Sequence, residues 1–455
     1  MDYLSRLIRK RPTSRHTARR KPLVCTQPFS LQKKMSDNAL KVAYQLHDSG
    51  HAAYLVGGSV RDILLGLSPK DFDVATSALP EQVRSIFRNS RIIGRRFKLI
   101  HVLFGREIIE VATFRAGHSP AQSKHGRDRS QHSHSGRILR DNVYGSLEDD
   151  AVRRDFTINA LYYAVHDSSI RDFCGGLEDI ERKVIRLIGD PELRYREDPV
   201  RMLRAVRFAA KLNFSIAPAT ANPIKNLGHL LLDIPAARLF DETLKLFLSG
   251  QGERTLHLMY KYGLVELLFP AIGSDPASLA DDNDNTLLIQ ALRNTDKRVK
   301  AQKPVTPAFF YAALLWTAVD TIQRQLTDSG TPAGTAIEQA TADVIAAQNI
   351  RTTIPRRFGS QIEEIWALQR PLERRHPRQI DKLASHPRFR AAYDLLVLRA
   401  TVGEQVNQAD SWWTQWQEEN PRPPVHSRQE SSSARPNLTS ERRVKKRRRR
   451  RPNPP

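Results

Sequence analysis

Apolar positions change their period along the chain, and the changes mark out elements. Ala39, Leu40, Val42, Ala43 and Leu46 recur at helical spacing from near Asn38, and Gly50 stops the run. Tyr54-Leu55-Val56 is a short strand-like run broken by Gly57-Gly58, where the backbone must turn or approach a ligand closely. A helix follows, with Ser59 as its expected N-cap, Val60, Ile63 and Leu64 at helical spacing, and Gly66 suited to the left-handed position past its end. Asp71 and Asp73 then alternate with Phe72 and Val74, so an extended backbone puts both carboxylates on one face. Pro80 fits the first position of a further helix whose apolar face is Val83, Ile86 and Phe87. Leu99 to Phe104 and Glu107 to Phe114 read as strands joined at Gly105-Arg106 as a hairpin. Together these predict a compact sheet domain flanked by helices.

Ser, His, Gly, Arg and Gln dominate from Ala116 to Gly136 without apolar period, which predicts a loop. Order resumes from Val143 to Tyr163. Tyr195 to Leu212, YREDPVRMLRAVRFAAKL, predicts one helix with Met202, Leu203, Val206, Ala209 and Ala210 on one face and Arg201, Arg204 and Arg207 roughly opposite. Beyond about residue 213 strand signals fade, and Leu244 to Leu248, Leu256 to Leu268, Phe309 to Ala318, Ile362 to Leu368 and Phe389 to Val402 predict an all-α half. Residues 1–35 are basic and aperiodic, and after Trp416 the chain turns polar and ends in ERRVKKRRRRRPNPP; both ends are expected to be disordered, the tail binding phosphates.

Charge changes the picture. Lys and Arg number 72 against 49 Asp and Glu, a formal net charge of +23, which points to a polyanionic partner, nucleic acid before membrane. Cys25 and Cys174 stand far apart, which excludes a disulfide framework or a cysteine zinc site and fits a reducing, cytoplasmic compartment. No apolar run approaches the roughly 18 residues of a membrane span.

Candidate chemistry gathers around the first glycine pair. Strand, glycine turn and helix start make an anion site, and two carboxylates as close as Asp71 and Asp73 call for a divalent cation. Glu110, set among apolar neighbours in IIEVATF, needs a partner or a metal; the Asp71 and Asp73 face and a salt bridge to an arginine are both open to it. His118, His125, His132 and His134 have no fixed ligand spacing and read as solvated loop residues. Arg153, Arg154 and Asp155 would stand at the edge of a packed element, where the guanidiniums suit triphosphate oxygens or, alternatively, pair with Glu148, Asp149 and Asp150. The arginine face of the 195–212 helix could grip phosphates or read a base edge, the simpler reading being a solvated basic face.

In order, GGSVRD (Gly57 to Asp62), DFD (Asp71 to Asp73), EVATFR (Glu110 to Arg115), RRDFTINAL (Arg153 to Leu161) and REDPVRMLRAVRFAAKL (Arg196 to Leu212) resemble the motif set of the class II nucleotidyltransferase superfamily, which holds CCA-adding enzymes and bacterial poly(A) polymerases. The segment IIGRRFKLIHV, Ile92 to Val102, looks like the signature that separates the poly(A) branch, and His386 to Ala400 with the arginine-rich tail resembles that branch too. The resemblance implies an α+β fold: a small mixed-sheet nucleotidyltransferase head (residues 36–165, loop 116–136), then an all-α neck (166–270), body (271–415) and tail (416–455), after a basic arm (1–35). It implies Asp71 and Asp73 as ligands of two Mg²⁺ ions, with Mn²⁺ as a substitute and Glu110 as a candidate third carboxylate, and Asp155 as a further active-site carboxylate. Gly57, Gly58, Arg61, Arg154, Asp198, Arg201 and Arg204 correspond to nucleotide-contacting positions. The activity implied is template-independent addition of AMP from ATP to RNA 3′ ends, with RNA-decay proteins as candidate partners of the basic tail. Two other readings stand beside it. IIGRRFKLIHV argues against a CCA-adding tRNA nucleotidyltransferase, and the intact DFD pair argues against a non-catalytic RNA-binding relative.

Overall fold

The computed structural model describes residues 22–26, 31–94, 98–116, 131–132, 138–140, 143–272 and 286–421. Most of the basic arm, of the loop expected at 116–136 and of the arginine-rich tail therefore lies outside the described residues, as do His118, His125 and His134. The chain divides into two units, Met1–Asp410 and Ser411–Pro455.

In the first unit an eight-stranded mixed sheet forms the head. Its strands are β1 (Leu23–Thr26), β2 (Ala53–Val56), β3 (Asp73–Thr76), β4 (Ser90–Ile93), β5 (Leu99–Phe104), β6 (Glu107–Thr113), β9 (Leu161–Ala164) and β10 (Ser169–Asp172), in the order β1-β10-β9-β2-β3-β6-β5-β4. Gln131–His132 (β7) and Ile138–Arg140 (β8) form a separate two-stranded ribbon, so the end of the expected loop carries a strand. All neighbours in the main sheet are antiparallel except β3 and β6. The hairpin expected at Gly105 is there, with Gly105 at φ 60°.

Two differences from expectation concern the head's limits. Leu23–Thr26, within the expected disordered arm, pairs along β10, and β10 itself lies beyond the expected boundary at 165. The local cue is faint: Leu23, Val24 and Cys25 are too short a run to stand out in a basic segment, and a long-range partner creates the strand.

Helix α1 (Asp37–Asp48) buries Ala39, Val42, Ala43 and Leu46 and ends before Gly50 at φ 84°. The helix after the glycine turn, α2, is Gly58–Leu64, capped by Gly57 and so starting two residues earlier than a Ser59 cap would place it; Ser59 Oγ instead donates to the Val56 carbonyl at 3.3 Å. Helix α3 (Pro80–Ile86) starts on Pro80 as expected. Helices α4 (Leu147–Arg153) and α5 (Gly176–Glu181) flank β9 and β10 in sequence.

The helix expected over 195–212 is broken in two, α6 (Pro191–Glu197) and α7 (Val200–Leu212). Pro199 cannot donate to a helical hydrogen bond and forces the residue before it out of helical geometry, and Asp198 sits at φ −148°, ψ 94°. Two short parallel strands, β11 (Val184–Ile185) and β12 (Ser215–Ile216), tie the ends of α5 and α7 together. Beyond Ile216 the described residues of this unit are helical: α8 (Pro218–Leu227), α9 (Ala236–Phe247), α10 (Gly252–Lys261), then Leu287–Lys300, Pro307–Asp328, Ala333–Arg351, Arg356–Ala367 and Phe389–Thr401 among the longer helices. Trp316, Trp366, Tyr311 and Phe247 are fully buried in this all-α half. The fold is the expected α+β arrangement of a mixed-sheet head followed by helices. In the second unit, the helix that begins at Ala409 continues to Glu419, and its Trp413 ring meets Trp412 and Trp416 edge-on at 4.9 and 5.6 Å. The expected tail boundary at 416 falls inside it.

Candidate active site

Strand β2 ends at Val56, and Gly57 at φ 81°, ψ −131° turns the chain into α2. In the register of β2 on β3, Val56 lies opposite Asp73, and on the other side of β3 Asp73 lies opposite Glu110 of β6. Three adjacent strands thus bring the glycine turn, Asp73 and Glu110 to one place, with Asp71 two residues before Asp73. Phe72 and Val74 are buried while Asp71 and Asp73 are exposed, the alternation the sequence predicts.

Glu110 differs from expectation. Its side chain is 49% exposed, with His101 Nε2 at 3.4 Å, because only the opposite face of β6 enters the core. Although Asp73 as a residue is exposed, the protein packed around its carboxyl and then Glu110 and Asp71 push it up to about 6, with Arg154 pulling the other way. Among the described residues no three His, Cys, Asp or Glu side chains close a metal site by themselves. Crowded carboxylates whose repulsion is unrelieved nevertheless fit Mg²⁺, which takes one or two protein carboxylates and leaves positions for water and substrate phosphate.

Arg154 is the cation beside these strands. Asp150 Oδ2 accepts from its Nε and Nη2 at 3.3 and 3.1 Å, Tyr162 Oη accepts from its Nε at 2.8 Å, and the guanidinium lies over the Tyr162 ring at 5.1 Å. A Cβ on Gly57 would stand 3.6 Å from Arg154 Nη1 and 4.0 Å from Asp73 Oδ2, so the glycine, the arginine and the aspartate share one small space. Behind it, burial and the charges of Arg115, Arg154, Arg194 and Arg201 hold the Arg153 guanidinium down to about 9. Such crowded positive charge favours an anion.

Asp155 serves a second cluster, where head meets neck. It accepts from Arg204, from the Phe156 N–H at 2.8 Å and from Asn159 Nδ2 at 3.2 Å. Burial works against its charge, but Arg204 prevails and holds the carboxyl below the ordinary range. Asn159 in turn accepts from Arg61 Nη1 at 2.5 Å, and Arg61 donates to Asp62, which also takes Lys211 of α7 at 3.2 Å. Arg61, expected to contact nucleotide, is only 3% exposed and spent on these internal bonds.

The arginine face of α7 is not a solvated face. Arg201 is buried, donating to the Arg194 carbonyl at 2.7 Å and to Glu197 at 2.8 Å; Arg204 holds Asp155. Asp198 accepts from Arg238 of α9 at 2.9 Å. Phe208 receives the guanidiniums of Arg61, Arg204 and Arg207 at 5.2, 5.5 and 5.1 Å from its ring centre.

The structure therefore gathers Gly57, Gly58, Asp71, Asp73, Glu110 and Arg154 around the central strands β2, β3 and β6, and Arg61, Asp155, Asp198, Arg201 and Arg204 along the head–neck junction. Of the groups that aim them, the pairing of Arg154 with Asp150 was one of the alternatives the sequence offered, whereas Asn159, Tyr162 and Arg194 were missed. Asn159 and Tyr162 carry a signal in hindsight, being polar groups inside the apolar run FTINALYY.

Comparison with known proteins finds matches along most of the chain. The chain matches family models described as "Poly A polymerase head domain" over residues 53–186, "Probable RNA and SrmB- binding site of polymerase A" over 213–275 and "Polymerase A arginine-rich C-terminus" over 329–453. Poly(A) polymerase I of Salmonella typhimurium is 49% identical over 393 residues, 86% of this chain and 84% of that protein. A CCA-adding enzyme of Bacillus pumilus is 36% identical over 238 residues, 52% of this chain and 56% of that protein. Among solved structures, the Bacillus stearothermophilus CCA-adding enzyme in complex with CTP superposes with a TM-score of 0.52 at 27% identity, covering 85% of this chain and 84% of that one. The stronger likeness spans the body as well as the head, and with it this chain belongs to the bacterial poly(A) polymerase family.

Proposed function

We infer that this chain is a polynucleotide adenylyltransferase that extends RNA 3′ ends with AMP from ATP, without a template, in the cytoplasm. The observation that carries the reading is the alignment of the Gly57 turn, Asp73 and Glu110 on adjacent strands with Arg154 beside them, in a chain 49% identical to a poly(A) polymerase I.

Asp71 and Asp73 would hold Mg²⁺, or Mn²⁺ in its place, with Glu110 as the third candidate ligand; when bound, the metal supplies charge neutralisation at the phosphates and a lowered pKa for the attacking hydroxyl. Gly57 and Gly58 let a triphosphate approach the backbone, and Arg154, aimed by Asp150 and Tyr162, presents its planar fork to phosphate oxygens. Asp155 fixes Arg204, while Arg201, already bonded to Glu197 and the Arg194 carbonyl, and Asp198, held by Arg238, would reach the base only with the donors and lone pairs those bonds leave over. Arg61 acts through Asn159 within the head and through Asp62, which Lys211 of α7 ties to the neck.

Labelled unstructured RNA incubated with Mg²⁺ and ATP, CTP or both tests the reading. Long A tails from ATP alone are expected; arrest after one or a few additions, or a need for CTP, overturns it. The Asp71→Ala, Asp73→Ala double variant should lose roughly three orders of magnitude in rate, ~4 kcal/mol of barrier. Undiminished polymerisation would dismiss the metal assignment.

A further inference from the structure

The segment Ile92 to Val102 runs from β4 into β5, the last two strands of the head sheet beyond β6. Alternation decides what each residue of β5 does. Ile100 and Val102 are fully buried on one face, while Leu99, His101 and Leu103 lie half-buried on the other. Antiparallel register sets His101 directly opposite Glu110, and parallel register sets Glu110 directly opposite Asp73. Residues directly opposite share a face, so His101, Glu110 and Asp73 form one row across β5, β6 and β3.

Within that row the Glu110 carboxylate stands between another carboxylate and an imidazole. Asp73 and Glu110 repel each other, which is part of what pushes the Asp73 carboxyl up. On the far side His101 Nε2 lies 3.4 Å from Glu110 Oε1, and among the described residues no lysine or arginine pairs with Glu110. The His101 side chain is 22% exposed against 49% for Glu110, so the ring is the better anchored of the two. A glutamate on an open strand face has several rotatable bonds whose freedom it must surrender to hold a metal. A fixed neighbour that engages one oxygen removes part of that freedom beforehand.

We propose that His101 is a positioning residue, bonding one oxygen of Glu110 and so holding that carboxylate ready as the third ligand of the divalent cation at Asp71 and Asp73. The proposal rests on the reading of those three carboxylates as metal ligands. A carboxylate fixed through one oxygen keeps lone pairs on the other for a cation, and ligating carboxylates are themselves hydrogen-bonded by outer groups. An imidazole supplies that N–H while competing with the metal less than a permanently charged guanidinium in a bidentate pair. The 3.4 Å separation is long for a hydrogen bond. Contacts of this kind tighten when a site is loaded.

The test titrates the full chain with Mn²⁺ alone, without ATP or RNA, and reads the free ion by electron paramagnetic resonance; melting temperature reports the fold. His101→Ala should weaken Mn²⁺ binding about tenfold, the lower end of what losing such an outer partner costs. His101→Gln, which keeps an N–H donor, should recover most of that. In a Glu110→Gln background His101→Ala should cost nothing further, because the group it acts through is already disabled. A loss of equal size in both backgrounds means that the ring acts through packing and overturns the proposal. So does an undiminished affinity in His101→Ala when Glu110→Gln alone weakens binding, a result that leaves Glu110 as a ligand. If Glu110→Gln itself binds Mn²⁺ as the parent does, Glu110 is no ligand and the proposal falls with it. The Asp71→Ala, Asp73→Ala double variant reads the metal assignment separately, and its Mn²⁺ binding should be lost whatever stands at 101.

Discussion

At Gly57 one residue decides whether three functional groups can meet. Its φ and ψ lie where only glycine is at ease, while a Cβ there would meet Arg154 and Asp73 only at ordinary contact distance, so the backbone and not the space demands glycine. Gly57→Ala is expected to cost ~1–3 kcal/mol in a denaturant titration and to reduce ATP turnover more than that loss alone would explain. Asp155 makes the complementary case from charge. Its folded-state pKa lies below its ordinary value near 3.9, so the stability it contributes is present above that value and is lost as pH falls through the lower folded one. Asp155→Asn leaves Arg204 unpaired and should destabilise by about 3 kcal/mol at pH 7. The gap between parent and variant should then narrow below about pH 4. An offset constant from neutral to acid pH would mean that Asp155 acts through shape rather than charge.

Elements show why some residues were legible and others not. The alternation of Asp71, Phe72, Asp73 and Val74 is a local property of extended backbone, and the structure keeps it. The partner of Glu110 depends on which strand lies beside β6, and only the parallel pairing with β3 supplies Asp73. Helix α7 teaches the same lesson from the other side. Its period, its arginines and the proline that breaks it all stand in the sequence, but the burial of Arg201 against Glu197 depends on how α6 and α7 pack. Phe208, an ordinary apolar residue by period, turns out to seat three guanidiniums. Phe208→Leu preserves apolar bulk and removes the ring quadrupole, and thermal unfolding should show a loss of ~1–3 kcal/mol. A loss no larger than an isosteric core swap would deny the ring any special part.

Across the whole molecule, charge dominates. With a net charge of +23, affinity for single-stranded RNA should fall linearly on a log–log plot against salt, at ~0.7 per phosphate contacted. A filter-binding series checks this, and a flat line would mean that phosphates contribute little. None of the described helices is long and apolar enough to cross a membrane.

The sequence by itself determined the order of motifs, the face carrying Asp71 and Asp73, a sheet domain before a helical remainder, and the polyanion preference. All follow from local period, composition or residue chemistry. Tertiary structure decided that Leu23–Thr26 completes the sheet, that Glu110 stands beside Asp73 half in solvent, that Arg61 is buried, and that Asp155 belongs to Arg204. Each of these depends on a contact between segments far apart in the chain, where burial and pairing, rather than local preference, set a residue's energy.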